Sequence, residues 1–298
     1  SAVLFSAQQG DVATLRLLLD AGVDVNGAAN DGSTLLQVAV DSGTRALFEP
    51  QKAPDDHHAE AIRFLLEQGA DPNTNGAGRT PLHSAVWTAQ PVVAEDLLAF
   101  GADPNARLVE PLPRLGRTLG GALKITMVGA SPFWLAAHFA DVEMMKLLVE
   151  HGANPALTSE DGSTPVMMAA GLHNFEGWDR YRRPWRGQRE ALLDRYLAAT
   201  TLTLELGGDV NAVNAAGLTA LHGAAYAGSN DLVELLVKHD AEIDAQDNSG
   251  RTPLEITTTI FPGGIFPNHE HTAQLLLELG ADPALGTNAQ SDRDTRTR

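Results

Sequence analysis

Short apolar segments of two kinds alternate along the chain. One is compact and rich in small residues, as in TALHGAAYAG (219–228), where Gly223, Ala224 and Ala225 let a helix lie close to a neighbour. The other is amphipathic, as in DLVELLVKHD (231–240), where Leu232, Val233, Leu235, Leu236 and Val237 give a second helix an apolar stripe. Pro81, Pro165 and Pro253 open segments of the first kind, at the helical turn where a missing N–H costs nothing. Gly22, Gly69, Gly101, Gly152 and Gly280 close segments of the second kind, where a left-handed cap ends a helix. The Asp-Pro-Asn or Asp-Val-Asn that follows several of them is turn chemistry. The pattern predicts pairs of short helices and no regular strands.

The pairs repeat. GRTPLHSAV (78–86) recurs as AGLTALHGAA (216–225), and more loosely as DGSTLLQVAV, GASPFWLAA, DGSTPVMMAA and SGRTPLEIT. The turn residue falls at Thr34, Thr80, Ser131, Thr164, Thr219 and Thr252, with gaps of 46, 51, 33, 55 and 33. A closing signature ends each unit: LLLDAGVDVN, FLLEQGADPN, LLAFGADPN, LLVEHGANP, LELGGDVN, LLVKHDAEID and LLLELGADP. These make seven units, the first opening at SAVLFSAQQGDVATL without a turn motif of its own.

The Thr80–His83 T-P-L-H motif, the 33-residue gaps and the repeated L-L-x-x-G-A-D resemble the ankyrin-repeat family over residues 1–283. The resemblance implies an all-α solenoid, because one unit cannot bury both its faces alone. It also implies that His83 and His222 hydrogen-bond the neighbouring turn. Residues 284–298 lack an apolar period and are expected to form a disordered tail. The long insertions, with SPFWLAAHFADVEMMKLL and TALHGAAYAGSNDLVELL, resemble exported bacterial members, which favours an exported or periplasmic location over a cytoplasmic one. The chain opens at Ser1 with neither an initiator Met nor a leader-like segment, so removal of a preceding segment is expected.

Composition narrows the function. Of 298 residues, 43% are hydrophobic and 20% charged, which is a globular balance. With 21 Lys and Arg against 38 Asp and Glu, the formal charge of −17 argues against nucleic acid as a partner. No apolar run is long enough to span a bilayer. The absence of Cys excludes disulfides, thiolate metal sites and a Cys nucleophile. No phosphate-binding glycine loop, nucleophile elbow or H-E-x-x-H motif occurs. His57 with His58, and His269 with His271, sit in segments read as loops, and neither pair is taken as a metal site. Asp244 to Glu255 has the end-to-end spacing of a calcium loop, but its Gly is misplaced, so Asp244, Asp247 and Asn248 are read as turn formers. No metal or cofactor is expected.

Insertions near 44–58, 107–128, 171–189 and 259–271 interrupt the repeat. The second carries Arg107, Arg114, Arg117 and Lys124 against Glu110 alone. The third carries Arg180, Arg182, Arg183, Arg186 and Arg189, together with Phe175, Trp178, Tyr181 and Trp185. Two readings of that aromatic, basic stretch stand. Its rings pin a long loop to the solenoid, or it forms an anion- or aromatic-binding lid.

The residue after the small pair of each inner helix is expected to face the concave groove. That column reads Gln8, Asp41, Trp87, His138, Gly171, Tyr226 and Thr259. Trp87, His138 and Tyr226 are expected as walls, with Gly171 as a gap between the last two. Trp134 replaces the motif His, and it is expected to lose the usual bond and add bulk beside His138. The favoured reading is a monomeric binding module that takes a protein or acidic small molecule in this groove. The alternative is an enzyme or small-molecule binder under the 171–189 lid, with His138 as general base assisted by Asp141, Tyr226 or His173.

Overall fold

A computed structural model of the chain describes residues 2–42, 56–110, 126–172, 189–258 and 269–286. The described helices form seven pairs, and no strand occurs among the described residues. The inner helices are α1 (Ala2–Gln9), α3 (Leu35–Ser42), α5 (Pro81–Trp87), α7 (Pro132–His138), α9 (Pro165–Ala169), α11 (Ala220–Ala227) and α13 (Pro253–Thr258). The outer helices are α2 (Val12–Asp20), α4 (Asp56–Glu67), α6 (Pro91–Ala99), α8 (Val142–Glu150), α10 (Arg189–Glu205), α12 (Asn230–Lys238) and α14 (Glu270–Glu278). Each inner helix packs on the next inner helix and each outer helix on the next outer one, which makes a solenoid.

The turn motif starts the inner helices as its chemistry demands. Thr80, Thr164 and Thr219 accept a bond from the third helical N–H, and Ser131 does the same for Trp134. Outer helices are capped by Asp11, Asp141 and Ser229. Close approach matters at Gly223, where a Cβ would sit 2.9 Å from the backbone nitrogen of Leu172 in the preceding unit. The core is one continuous apolar cluster that runs through every joint.

A ladder of Asn side chains ties the hairpin ends together. Asn26 donates to the carbonyl of Gly69 (3.0 Å) and accepts from the N–H of Asp71 (2.8 Å). Asn73 repeats both bonds with Gly101 and Asp103, Asn105 with Gly152 and Asn154, and Asn211 with Asp240 and Glu242. Between units 4 and 5 the register position is Ala156, which has no side-chain amide. Between units 6 and 7 it is Asp244, which accepts from the Asp282 N–H but has no proton to donate.

Two of the outer helices that follow an insertion are longer than the rest, while α14, which follows the 259–271 insertion, is not. α2, α6, α8, α12 and α14 each have 9 residues, whereas α4 has 12 and α10 has 17. The 107–128 insertion is anchored at its base, where the Leu108 N–H donates to Ala130 and the Gly129 N–H to Leu108. Residues 1, 43–55, 111–125, 173–188, 259–268 and 287–298 lie outside the described residues.

Candidate functional site

The inner-helix face carries the expected column, but its members differ in what they present. Trp87, at the end of α5, is half-buried, as are Gln8 and Asp41. Asp41 is ion-paired with Arg79 of the next unit at 2.6 Å. Arg79 also donates through Nε to Ser84 Oγ at 3.1 Å. Gln37 stands where the turn motif has His. Its Nε2 donates to Asp41 Oδ1 (3.0 Å) and to Ser84 Oγ (2.8 Å). Units 2 and 3 are therefore joined by a shared polar network of Gln37, Asp41, Arg79 and Ser84, the last of them three residues before Trp87 in α5.

Further along, the structure corrects several expectations. Trp134 has no exposed surface and belongs to the core. Its Nε1–H donates to the carbonyl of Ser163 at 2.8 Å, so unit 4 keeps the inter-unit bond. That bond matches the one from His83 Nε2 to Ala130 (3.2 Å) and from His222 Nε2 to Arg251 (3.1 Å), each made to the residue before the next turn Thr or Ser. His138 is 2% exposed and stacks on Trp134 with ring centroids 5.7 Å apart. The Phe139 ring meets it edge-on at 4.7 Å. His138 is therefore buried at the end of α7, with the Trp134 and Phe139 rings against it. Asp141 caps α8 by accepting from the Met144 N–H. Tyr226 is 9% exposed, and Gly171 is buried. His173, Trp178, Tyr181, Arg182, Arg183, Trp185 and Arg186 of one insertion, and Arg114 and Arg117 of the other, lie outside the described residues, as does Thr259.

The paired histidines also have structural work. His57 and His58 lie in α4 and His271 within α14, whereas His269 flanks α14 as its N-cap. His58 Nε2 lies 3.1 Å from the carbonyl of Gln8, and His269 Nε2 lies 3.2 Å from that of Tyr226. Tyr196 donates its hydroxyl to the carbonyl of His138 at 3.1 Å. All three donors sit at the helix-start register of a unit that follows an insertion. All three acceptors are column residues at the end of the preceding inner helix. Arg195 adds bonds to the carbonyls of Phe139 (3.0 Å) and Ala140 (3.2 Å), placing a cation at the negative end of α7. The sequence hides this role because it appears only when the repeats are aligned at the helix start across insertions of unequal length.

Burial holds the His83 imidazole neutral, with its pKa pushed down to about 4. Its Nδ1 accepts from the N–H of Thr80, which a proton there would oppose. Burial lowers His222 in the same way. Asp247 accepts from Arg251 Nε at 2.7 Å within its turn, and Glu255 lies in α13.

Comparison with known proteins agrees with this geometry. The model for ankyrin repeats (3 copies) matches residues 191–287, and that for ankyrin repeats (many copies) matches residues 51–98 and 133–177. The chain is an ankyrin-repeat protein. Human ankyrin repeat and SOCS box protein 16 is 27% identical to it over 248 residues, covering 76% of this chain and 50% of the relative. Neurogenic locus notch homolog protein 1 of Xenopus tropicalis is 28% identical over 235 residues, covering 78% of this chain and 8% of the relative. The chain thus spans half or less of these curated relatives. The crystal structure of the human ASB11 ankyrin repeat domain superposes with a TM-score of 0.64 at 22% identity, covering 95% of this chain and 100% of that one. These relatives are animal proteins, so the expected likeness to bacterial members finds no support among them. Ankyrin repeats generally mediate protein–protein binding. No helix among the described residues is long and apolar enough to cross a membrane.

Proposed function

We propose that this ankyrin-repeat protein binds a partner protein across the inner-helix face of units 2 and 3, with Trp87 as the apolar anchor. The observation that carries the reading is the contrast between the column's large residues. His138 and Tyr226 are buried, whereas Trp87 is only half-buried, in the unit whose Arg79 pairs with Asp41. Trp and Arg are among the residues that most often anchor interfaces. The Arg-rich insertions, through Arg114, Arg117, Arg182, Arg183 and Arg186, give the partner's segment its expected character, which is acidic.

The test is site-specific photo-cross-linking. A photoreactive residue placed at position 87 should trap the partner, and one at Glu234 on an outer helix should not. Trp87→Ala should weaken the purified complex by about 1–3 kcal/mol. Cross-links confined to position 234 would refute the groove reading.

A further inference from the structure

We propose that Asn75–Gly76, at the hairpin tip between units 2 and 3, is a site of spontaneous deamidation and isoaspartate formation, and that this change loosens the joint between the two units. The chain holds two Asn-Gly pairs, Asn26–Gly27 and Asn75–Gly76. A β-branched residue precedes each, Val25 and Thr74, so their local sequences are alike. Glycine has no Cβ to shield the nitrogen that attacks the Asn side chain. The folded chain treats the two pairs differently.

Asn26 is held at both reacting groups. Its side-chain amide donates to the Gly69 carbonyl and accepts from the Asp71 N–H. The Gly27 N–H donates to the carbonyl of Asp24 at 3.1 Å. Asn75 has none of these ties. It is exposed, and among the described residues its side chain makes no hydrogen bond. Its register lies five residues before the turn Thr, where Ser159, Asn214 and Asp247 stand in later units. Each of those is bonded: Ser159 Oγ donates to Asp161 Oδ1 (2.7 Å), Asn214 Oδ1 accepts from the Leu218 N–H (3.0 Å), and Asp247 Oδ1 from the Arg251 N–H (2.9 Å).

The next position repeats the contrast. The N–H groups of Glu160, Ala215 and Asn248 donate to the preceding tip, at Val128 (2.8 Å), Asp161 (2.7 Å) and Ala216 (3.0 Å). Gly76 takes that register in unit 3, and among the described residues its N–H has no acceptor. The cause is in the sequence. From the ladder Asn to the turn Thr, this tip (Asn73 to Thr80) is one residue shorter than those from Asn26 to Thr34 and from Asn211 to Thr219.

The chemistry needs only water. The Gly76 nitrogen gives up its proton and bonds to Cγ of Asn75. The bond from Cγ to Nδ2 breaks, ammonia leaves with that proton, and a succinimide ring remains. Water opens the ring at Cγ to give an aspartyl residue, or at the main-chain carbonyl to give an isoaspartyl one, whose main chain is longer by a methylene. That product falls on a crowded contact. A Cβ added at Gly32 would collide with the Gly76 carbonyl, and one added at Gly76 with the Gly32 carbonyl, so the two tips touch through bare backbone. Either product also adds a negative charge to a tip packed against the one that carries Asp31.

The experiment ages the purified full chain in mildly alkaline buffer, folded and in parallel unfolded in urea, and follows both pairs by peptide mapping with mass spectrometry. In the folded chain Asn75 should convert roughly tenfold or more faster than Asn26, a difference of about 1.4 kcal/mol in barrier. In urea the two rates should converge. The isoaspartyl fraction, separated by anion exchange, should unfold at lower urea than the parent. It should also unfold at lower urea than freshly prepared Asn75→Asp, which carries the charge without the added methylene. Equal rates at the two pairs in the folded chain overturn the proposal, as does an Asn75 that stays intact there while the unfolded chain converts. An isoaspartyl fraction as stable as the parent overturns the link to the joint.

Discussion

The indole N–H of Trp134 meets the carbonyl of Ser163 at 2.8 Å, in the place where His83 and His222 serve their own units. A larger ring has taken over the motif's bond and filled the space between units 4 and 5. Trp134→Phe should therefore destabilise the protein by about 1–3 kcal/mol, through a buried carbonyl left short of a donor and a smaller ring. Urea denaturation checks this. No loss of stability would show the bond to be immaterial.

The depressed pKa of His83 makes stability depend on pH in a defined window. An unfolded His takes up a proton near pH 6.5, whereas the folded one resists until about 4. The unfolded chain thus binds more protons within that window, and stability falls as pH drops from 6.5 toward 4. His222 adds in the same direction. Thermal unfolding between these pH values should show a slope that His83→Gln flattens, Gln being the residue that unit 2 carries at this position. An unchanged slope in the variant would place the effect elsewhere.

Gly228 has φ +63, and a Cβ there would lie 2.2 Å from the His269 ring. Gly228→Ala should cost about 2–3 kcal/mol, from left-handed strain together with displacement of the ring that bonds Tyr226. Combining it with His269→Ala should remove the steric part, so the two changes should be less than additive. Additive losses in chemical denaturation would contradict this account.

Ala156 interrupts the Asn ladder. Ala156→Asn would place an amide within the register that Asn105 uses, facing the Gly207 carbonyl and the Asp209 N–H. The gain should be about 0.5–1.5 kcal/mol, the usual net value of added hydrogen bonds. A variant less stable than the parent would mean that the joint between units 4 and 5 departs from the shared geometry.

The sequence by itself determined the helix pairs, their number and their order of stacking. Small inner helices, leucine-striped outer helices and glycine stops are local properties that repeat with the motif. The resemblance to the family implied the roles of His83 and His222, and both make the bond to the next turn. Tertiary structure alone decided which column residues remain available. A side chain's exposure depends on its neighbours in adjoining units, so Trp87 stays half-buried while His138 disappears between Trp134 and Phe139. It also decided that Trp134 could replace a His, because the reach of an indole N–H to the next unit is set by the spacing of the helices and not by the motif. The work of His58, Tyr196 and His269 came from the same source. Their acceptors lie 50, 58 and 43 residues away along the chain, and only the stacking of one unit on the next brings them within bonding distance.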